Sequence, residues 1–334
     1  MVAGFDGGIV SVVDFWRAVF FFVSRSLIWG VILPEKSAAA VRYYAVGVVF
    51  ALLASVGFST KAILVKLAYQ HNVDAVTLLA LRMLFSFPFF LIAAYITQRD
   101  ATTSTLTRRD WSLLATLGLI GYYVSSLFDF WGLEYITASL ERLIIFLYPT
   151  FVVLLSAALA RERISRQLMT ALAVCYAGIV LVYADEGAHA QRDLVVGSAL
   201  VFVSVISYAC YLVASGQLIQ RIGSLRFTAY GMTFSCIGVI VHFLVSNPLA
   251  SLRQPKEVYG AALAMAIFAT VLPAFFLAEG MKRIGAGPTA VVGSFGPVAT
   301  IALAYWLLGE SLTTVQVGGS LLVIVGVLII GKQK

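Results

Sequence analysis

Charge is scarce in this sequence. Asp, Glu, Lys and Arg make up 12% of its 334 residues, and histidine occurs only three times. An ordinary soluble domain carries about twice that charged share, so a water-facing surface of this size is excluded. Cysteine is nearly missing as well: Cys175, Cys210 and Cys236 stand far apart inside apolar runs. That excludes a disulfide framework and any zinc spacing, and leaves them as small buried hydrophobes. There is no phosphate-binding loop, HExxH, Ser/His/Asp arrangement or haem-attachment sequence, so neither an enzyme nor a resident cofactor is expected. ATP-driven transport would need a separate subunit. What remains is apolar: 61% of the residues are hydrophobic and the mean hydropathy is +0.96. The sequence reads as an all-α integral membrane protein, with the lipid bilayer as its surrounding partner.

A membrane helix needs about 20 mostly apolar residues. Ten runs meet that length, at roughly 44–66, 76–97, 112–131, 137–159, 168–184, 194–216, 226–246, 258–278, 286–308 and 314–331. The net charge of +7 does not form a stripe suited to nucleic acid; the basic residues sit in the short gaps between runs. With the residues before 44 placed inside, sixteen Lys and Arg fall in inner segments and three in outer ones. This positive-inside bias puts both termini in the cytoplasm, as an even number of crossings requires. The multi-pass chain is expected in a bacterial-type inner membrane. Residues 1–43 read as an amino-terminal cytoplasmic or interfacial segment. Within them VVDFWRAVFFFVSRSLIWGVIL (12–33) is interrupted by Asp14, Arg17 and Arg25. A helix lying in the interface suits that pattern; an eleventh span is the alternative.

Part of the chain is written twice. GLEYITASLERLIIFLYPTFVVLLSAALARERIS begins at Gly132, and GMKRIGAGPTAVVGSFGPVATIALAYWLLGESLT begins at Gly280. Without a gap, Gly132 meets Gly280, Ile136 meets Ile284, Ala138 meets Ala286, Pro149 meets Pro297 and Glu162 meets Glu310. Five spans per copy is an odd number, so the second copy crosses in the opposite direction. Ten helices then form two inverted five-helix repeats, 44–184 and 194–331, an architecture characteristic of secondary transporters. YITAS (135–139) with RIGAG (283–287), YP (148–149) with GP (296–297), and RERIS (161–165) with GESLT (309–313) together resemble the EamA domain. That domain is the repeat unit of the drug/metabolite transporter superfamily. Arg161 stands where the pattern prefers Gly. The resemblance spans about residues 44 to 331. It implies a proton- or gradient-linked carrier, or a facilitative exporter, of small metabolites.

Several residues are candidates for the work of such a carrier. Pro149 and Pro297 each remove a backbone donor inside a span, and Gly293 and Gly296 weaken the ninth span further; these are the expected kinks or gates. Static bends are the plainer reading. Charges inside spans are costly unless paired or hydrated, which singles out Lys61, Arg82, Asp129, Glu141 and Arg142. They form either a vestibule for an anionic or zwitterionic metabolite or an ion-pair network between helices. Lys61, Arg82, Tyr148, Tyr208 and Ser207 are the expected substrate contacts, and Asp129, Glu141 and Arg142 the charge network. Glu162 and Glu310 end their spans and read as structural. The sequence is thus expected to move a small organic metabolite or drug-like compound, outward, by alternating access. A non-transporting scaffold and a channel are the alternatives. A homodimer is compatible with it.

Overall fold

Long apolar runs become long helices because a backbone in lipid must satisfy its own hydrogen bonds. The computed structural model describes residues 38–99, 106–160, 193–293 and 313–331, with scattered positions between 166 and 181 and between 296 and 303. The segment 12–33, Glu162, Pro297, Glu310 and most of the expected fifth and ninth spans lie outside the described residues.

The described helices run in chain order as α1 (Ala38–Tyr69), α2 (Ala75–Arg99), α3 (Arg108–Gly118), α4 (Ser125–Tyr135), α5 (Ala138–Ile145) and α6 (Tyr148–Ala160). There follow α7 (Leu194–Ile222), α8 (Ser224–Ser246), α9 (Lys256–Ala266), α10 (Leu272–Ile284), α11 (Ala286–Val292) and α12 (Thr314–Gly331). A π-helical turn, Leu119–Val124, joins α3 to α4, and a second, Ile267–Val271, joins α9 to α10. Among the described residues seven helical stretches are long and apolar enough to cross a membrane: Arg42–Tyr69, Ala75–Gln98, Arg108–Tyr135, Ala138–Leu159, Leu194–Ile222, Ser224–Ser246 and Lys256–Ile284. The chain is therefore an all-α, multi-pass membrane protein.

Local chemistry sets where helices start and turn. Thr107 caps α3 in a reciprocal box: its hydroxyl accepts from the Asp110 N–H, and the Asp110 carboxylate accepts from the Thr107 N–H at 2.8 Å. Such a cap contributes about 1 kcal/mol. Gly223 and Gly285, both at φ +87°, reverse the chain between α7 and α8 and between α10 and α11. A side chain is strained in that region of backbone space, so single glycines allow a one-residue turn.

From Tyr44 onward the chain folds as one unit. Residues before it belong to a separate unit of which only the first turns of α1 are described. Helices from the two halves of the sequence interleave: α2 packs on α8, α4 on α7, and α6 on α7. Small residues let backbones approach, as expected where lipid supplies no hydrophobic drive between helices. Gly132 on α4 lies against Val201 and the Gly197 carbonyl of α7, and Gly280 on α10 lies against Ala51 and the Gly47 carbonyl of α1. The two contacts correspond under the repeat: Gly132 and Gly280 stand 148 residues apart, and Gly47 and Ala51 stand 150 residues before Gly197 and Val201. So do other landmarks: α3 and α9 start 148 residues apart, as do the two π turns and the short helices α5 and α11. Outward faces carry Ile92, Val195, Val241, Leu244 and Phe268, all exposed. On a soluble protein such a belt would be a liability; in lipid it is the solvent-facing surface.

Candidate functional site

The polar groups face inward. Arg82, Asp129, Glu141 and Arg142 are all buried, with Asp129 and Glu141 at 0% exposure. Lys61, on α1, places its ammonium 2.5 Å from Asp129 Oδ2 and 3.5 Å from Glu141 Oε1. Glu141 sits in the first turn of α5, where the helix dipole favours an anion. Arg142 closes the group, with Nε 3.7 Å from Glu141 Oε2 and Nη2 donating to the Phe58 carbonyl at 2.8 Å. Lys61, Asp129, Glu141 and Arg142 thus tie α1, α4 and α5 together. Arg82 on α2 stands beside them over the Phe130 ring, 4.8 Å from its centroid.

Backbone carbonyls of the second half meet the helix that carries Lys61. Proline 297 has no N–H to offer the carbonyl four residues earlier, that of Gly293. Ser55 Oγ on α1 donates to that carbonyl at 2.8 Å, and Ser59 Oγ donates at 2.8 Å to the Gly296 carbonyl. A Cβ at Gly293 would collide with the Tyr148 hydroxyl, which itself donates to the Ala290 carbonyl at 3.1 Å. In the first half the matching break falls at Phe146 and Leu147, between α5 and α6, with Pro149 in the first turn of α6. Pro149 likewise cannot donate to the Ile145 carbonyl.

Beside these groups lies a cavity. Lys61, Arg82, Arg142, Tyr122, Tyr148 and Tyr208 line it, with Ser55, Ser125, Ser204, Gly293 and Gly296. A run of tyrosines forms one wall. Tyr148 meets Tyr208 edge-on at 5.4 Å, Tyr208 stacks on Tyr211 at 5.8 Å, and Tyr211 meets Tyr122 edge-on at 5.2 Å. Ser125 and Ser204 face each other at 2.9 Å. Ser207 is turned elsewhere: its hydroxyl donates at 2.7 Å to the Ile120 carbonyl, which sits in the π turn and also accepts from the Ser125 N–H. Asp129 and Glu141 lie behind Lys61 and do not line the cavity.

Both ends of the bundle are braced around this cavity. At one end Arg221 of α7 pairs with Asp110 of α3, and Gln220 donates to the Lys282 carbonyl of α10 at 2.8 Å. At the other, the Tyr69 hydroxyl donates to the Phe130 carbonyl at 2.8 Å, and Asn247 of α8 donates to Asp74 at 3.2 Å.

The model of the EamA-like transporter family matches residues 45–184 and again 195–332. The chain belongs to the EamA-like transporter family. An uncharacterized transporter of Bacillus subtilis, YcbK, is 31% identical over 303 residues, covering 88% of this chain and 96% of the relative. An uncharacterized transporter of Synechocystis is 26% identical over 322 residues, covering 86% and 94%. A crystal structure shares the fold at a TM-score of 0.65 and 17% identity, covering 85% of this chain and 96% of that one.

In this EamA-like transporter, sequence reasoning overlooked the π turns and the end braces. The π turns leave no compositional trace: LIGYYV and IFATV read as ordinary helix. Their signal was the repeat itself, carried back from Gly280 to Lys256. The Asp110–Arg221 pair had no signal: Arg221 counted only as an inner-segment charge, and no spacing marks Asp110 as its partner. Among the described residues no three His, Cys, Asp or Glu side chains gather to hold a metal ion.

Proposed function

We propose that the chain is a secondary carrier that moves a small organic solute by alternating access between two five-helix halves. The observation that carries this is the cavity: charged, tyrosine-walled, inside an apolar bundle, and lined from both halves of the sequence. Intramembrane ionisable groups around a polar space mark a solute path by default. The recurrence of the helix start, π turn and short broken helix at one offset supports ten spans in two inverted repeats, with the fifth and ninth completing the set. In that arrangement the Gly293 carbonyl and the break at Phe146 and Leu147 would face each other across the solute. Rocking of one half against the other would open the Asp110–Arg221 brace while the Asn247–Asp74 brace holds, then the reverse. Lys61, Arg82, Tyr148 and Tyr208 would contact the solute. Asp129, Glu141 and Arg142 would hold Lys61 in place. The positive-inside bias supports cytoplasmic termini, and the family supports a bacterial inner membrane; outward movement is our reading of the resemblance. The test is uptake into proteoliposomes from a pooled metabolite mixture, read by mass spectrometry, with and without a proton gradient. Saturable flux of one compound class, with altered KM in Tyr208→Ala, is expected. No flux from folded, inserted protein would leave a scaffold.

A further inference from the structure

The cavity's cations outnumber the carboxylates beside them. Lys61, Arg82 and Arg142 line it; Asp129 and Glu141 stand behind. Lys61 is shared between both carboxylates and Arg142 leans on Glu141. Arg82 has no such partner. It is 2% exposed, and no carboxylate among the described residues lies within ion-pair distance of it. Its Nε and Nη2 meet no hydrogen-bond acceptor. These two nitrogens are the pair whose N–H bonds run parallel along one edge of a guanidinium, the fork that takes both oxygens of a carboxylate. Phe130 covers one face of the group, and because the N–H bonds lie in the guanidinium plane that contact leaves the fork free to bond. An arginine stays protonated even when buried, and an unpaired buried charge is strongly unfavourable. The site is therefore one anion short.

We propose that Arg82 is the carboxylate-binding residue of the solute site, and that the solute is an organic monocarboxylate with an aromatic or apolar body. One surplus positive charge matches one negative charge. The tyrosine wall suits the body. No acidic side chain among the described residues lines the cavity, so no counter-charge there would pair with an ammonium, and the solute carries none. The proposal rests on the carrier reading for its meaning but is separable from it. A protein that moves another solute and ignores carboxylates remains a carrier; one that binds a carboxylate and moves nothing does not.

The experiment uses the full chain in detergent at constant ionic strength and reads its unfolding temperature against benzoate, benzyl alcohol, benzylamine and inorganic phosphate. Benzoate alone is expected to raise the temperature, saturably. Arg82→Gln is expected to lose the response, and Arg82→Lys, which keeps the charge but not the fork, to weaken it by about tenfold or more. Equal protection by the alcohol or the amine, stronger protection by phosphate, or no response to benzoate would each overturn the assignment. So would an undiminished response in either variant. If Arg82→Gln does not fold, the four ligands on the parent chain and Arg82→Lys decide.

Discussion

Replacing Lys61 with methionine keeps the length and bulk of the side chain and removes its charge. In the parent, the ammonium lies 2.5 Å from Asp129 and 3.5 Å from Glu141, and both carboxylates are at 0% exposure. Removing one partner of a buried ion pair leaves an uncompensated charge and costs about 3–5 kcal/mol. Arg142 reaches Glu141 only at 3.7 Å and already donates to the Phe58 carbonyl, so it cannot take over. The loss should therefore fall in that range, not near the ~0–1 kcal/mol of an exposed pair. Adding Asp129→Asn to Lys61→Met removes the stranded charge. The double variant should recover most of the loss, giving a coupling of about 2–3 kcal/mol in a double-mutant cycle. The assay is reversible unfolding of the purified protein in mixed micelles, with all four members of the cycle measured together. A Lys61→Met loss below about 1 kcal/mol, or strict additivity, would refute the claim that this network holds α1, α4 and α5.

Other variants probe separate contacts. A methyl at Gly132 would run into Val201, whereas one at Gly280 meets only ordinary contacts. Gly132→Ala should thus cost about 1–3 kcal/mol of unfolding free energy, and Gly280→Ala should be close to neutral; equal losses would mean that the two approaches are alike. Ser59→Ala removes the hydroxyl that donates to the Gly296 and Ser55 carbonyls and should lose about 1 kcal/mol in the same assay. The Arg221 side chain is 54% exposed, so Arg221→Gln should change stability by less than about 1 kcal/mol. Asp110→Ala also removes the carboxylate half of the capping box on α3 and should cost about 1 kcal/mol more.

Span limits were legible because lipid leaves so few options. The run expected at 44–66 appears within Arg42–Tyr69, and that at 76–97 within Ala75–Gln98. Charge pairing was legible in outline for the same reason: Lys61, Asp129 and Glu141 could not sit in lipid alone. The choice of partners was not. Arg82 was grouped with the carboxylates, but it turns to the face of Phe130, a matter of rotamer and helix rotation that spacing does not encode. Ser207 read as a solute contact and instead donates to Ile120. The π turn that brings this carbonyl within its reach follows from tertiary packing, and nothing in LIGYYV announces it. The proline rule carried further. That Pro297 frees the Gly293 carbonyl could be read from the chain; that Ser55 would fill it needed the fold.

The central claim is that the cavity is open to each side in turn and never to both. Solute counterflow tests it most directly. Proteoliposomes are loaded with a high concentration of the transported compound, then diluted into a trace of the labelled form. A carrier predicts a transient accumulation of label above equilibrium, with influx accelerated by unlabelled solute inside. Influx that rises linearly with concentration and is indifferent to internal solute would contradict alternating access and make the cavity a pore.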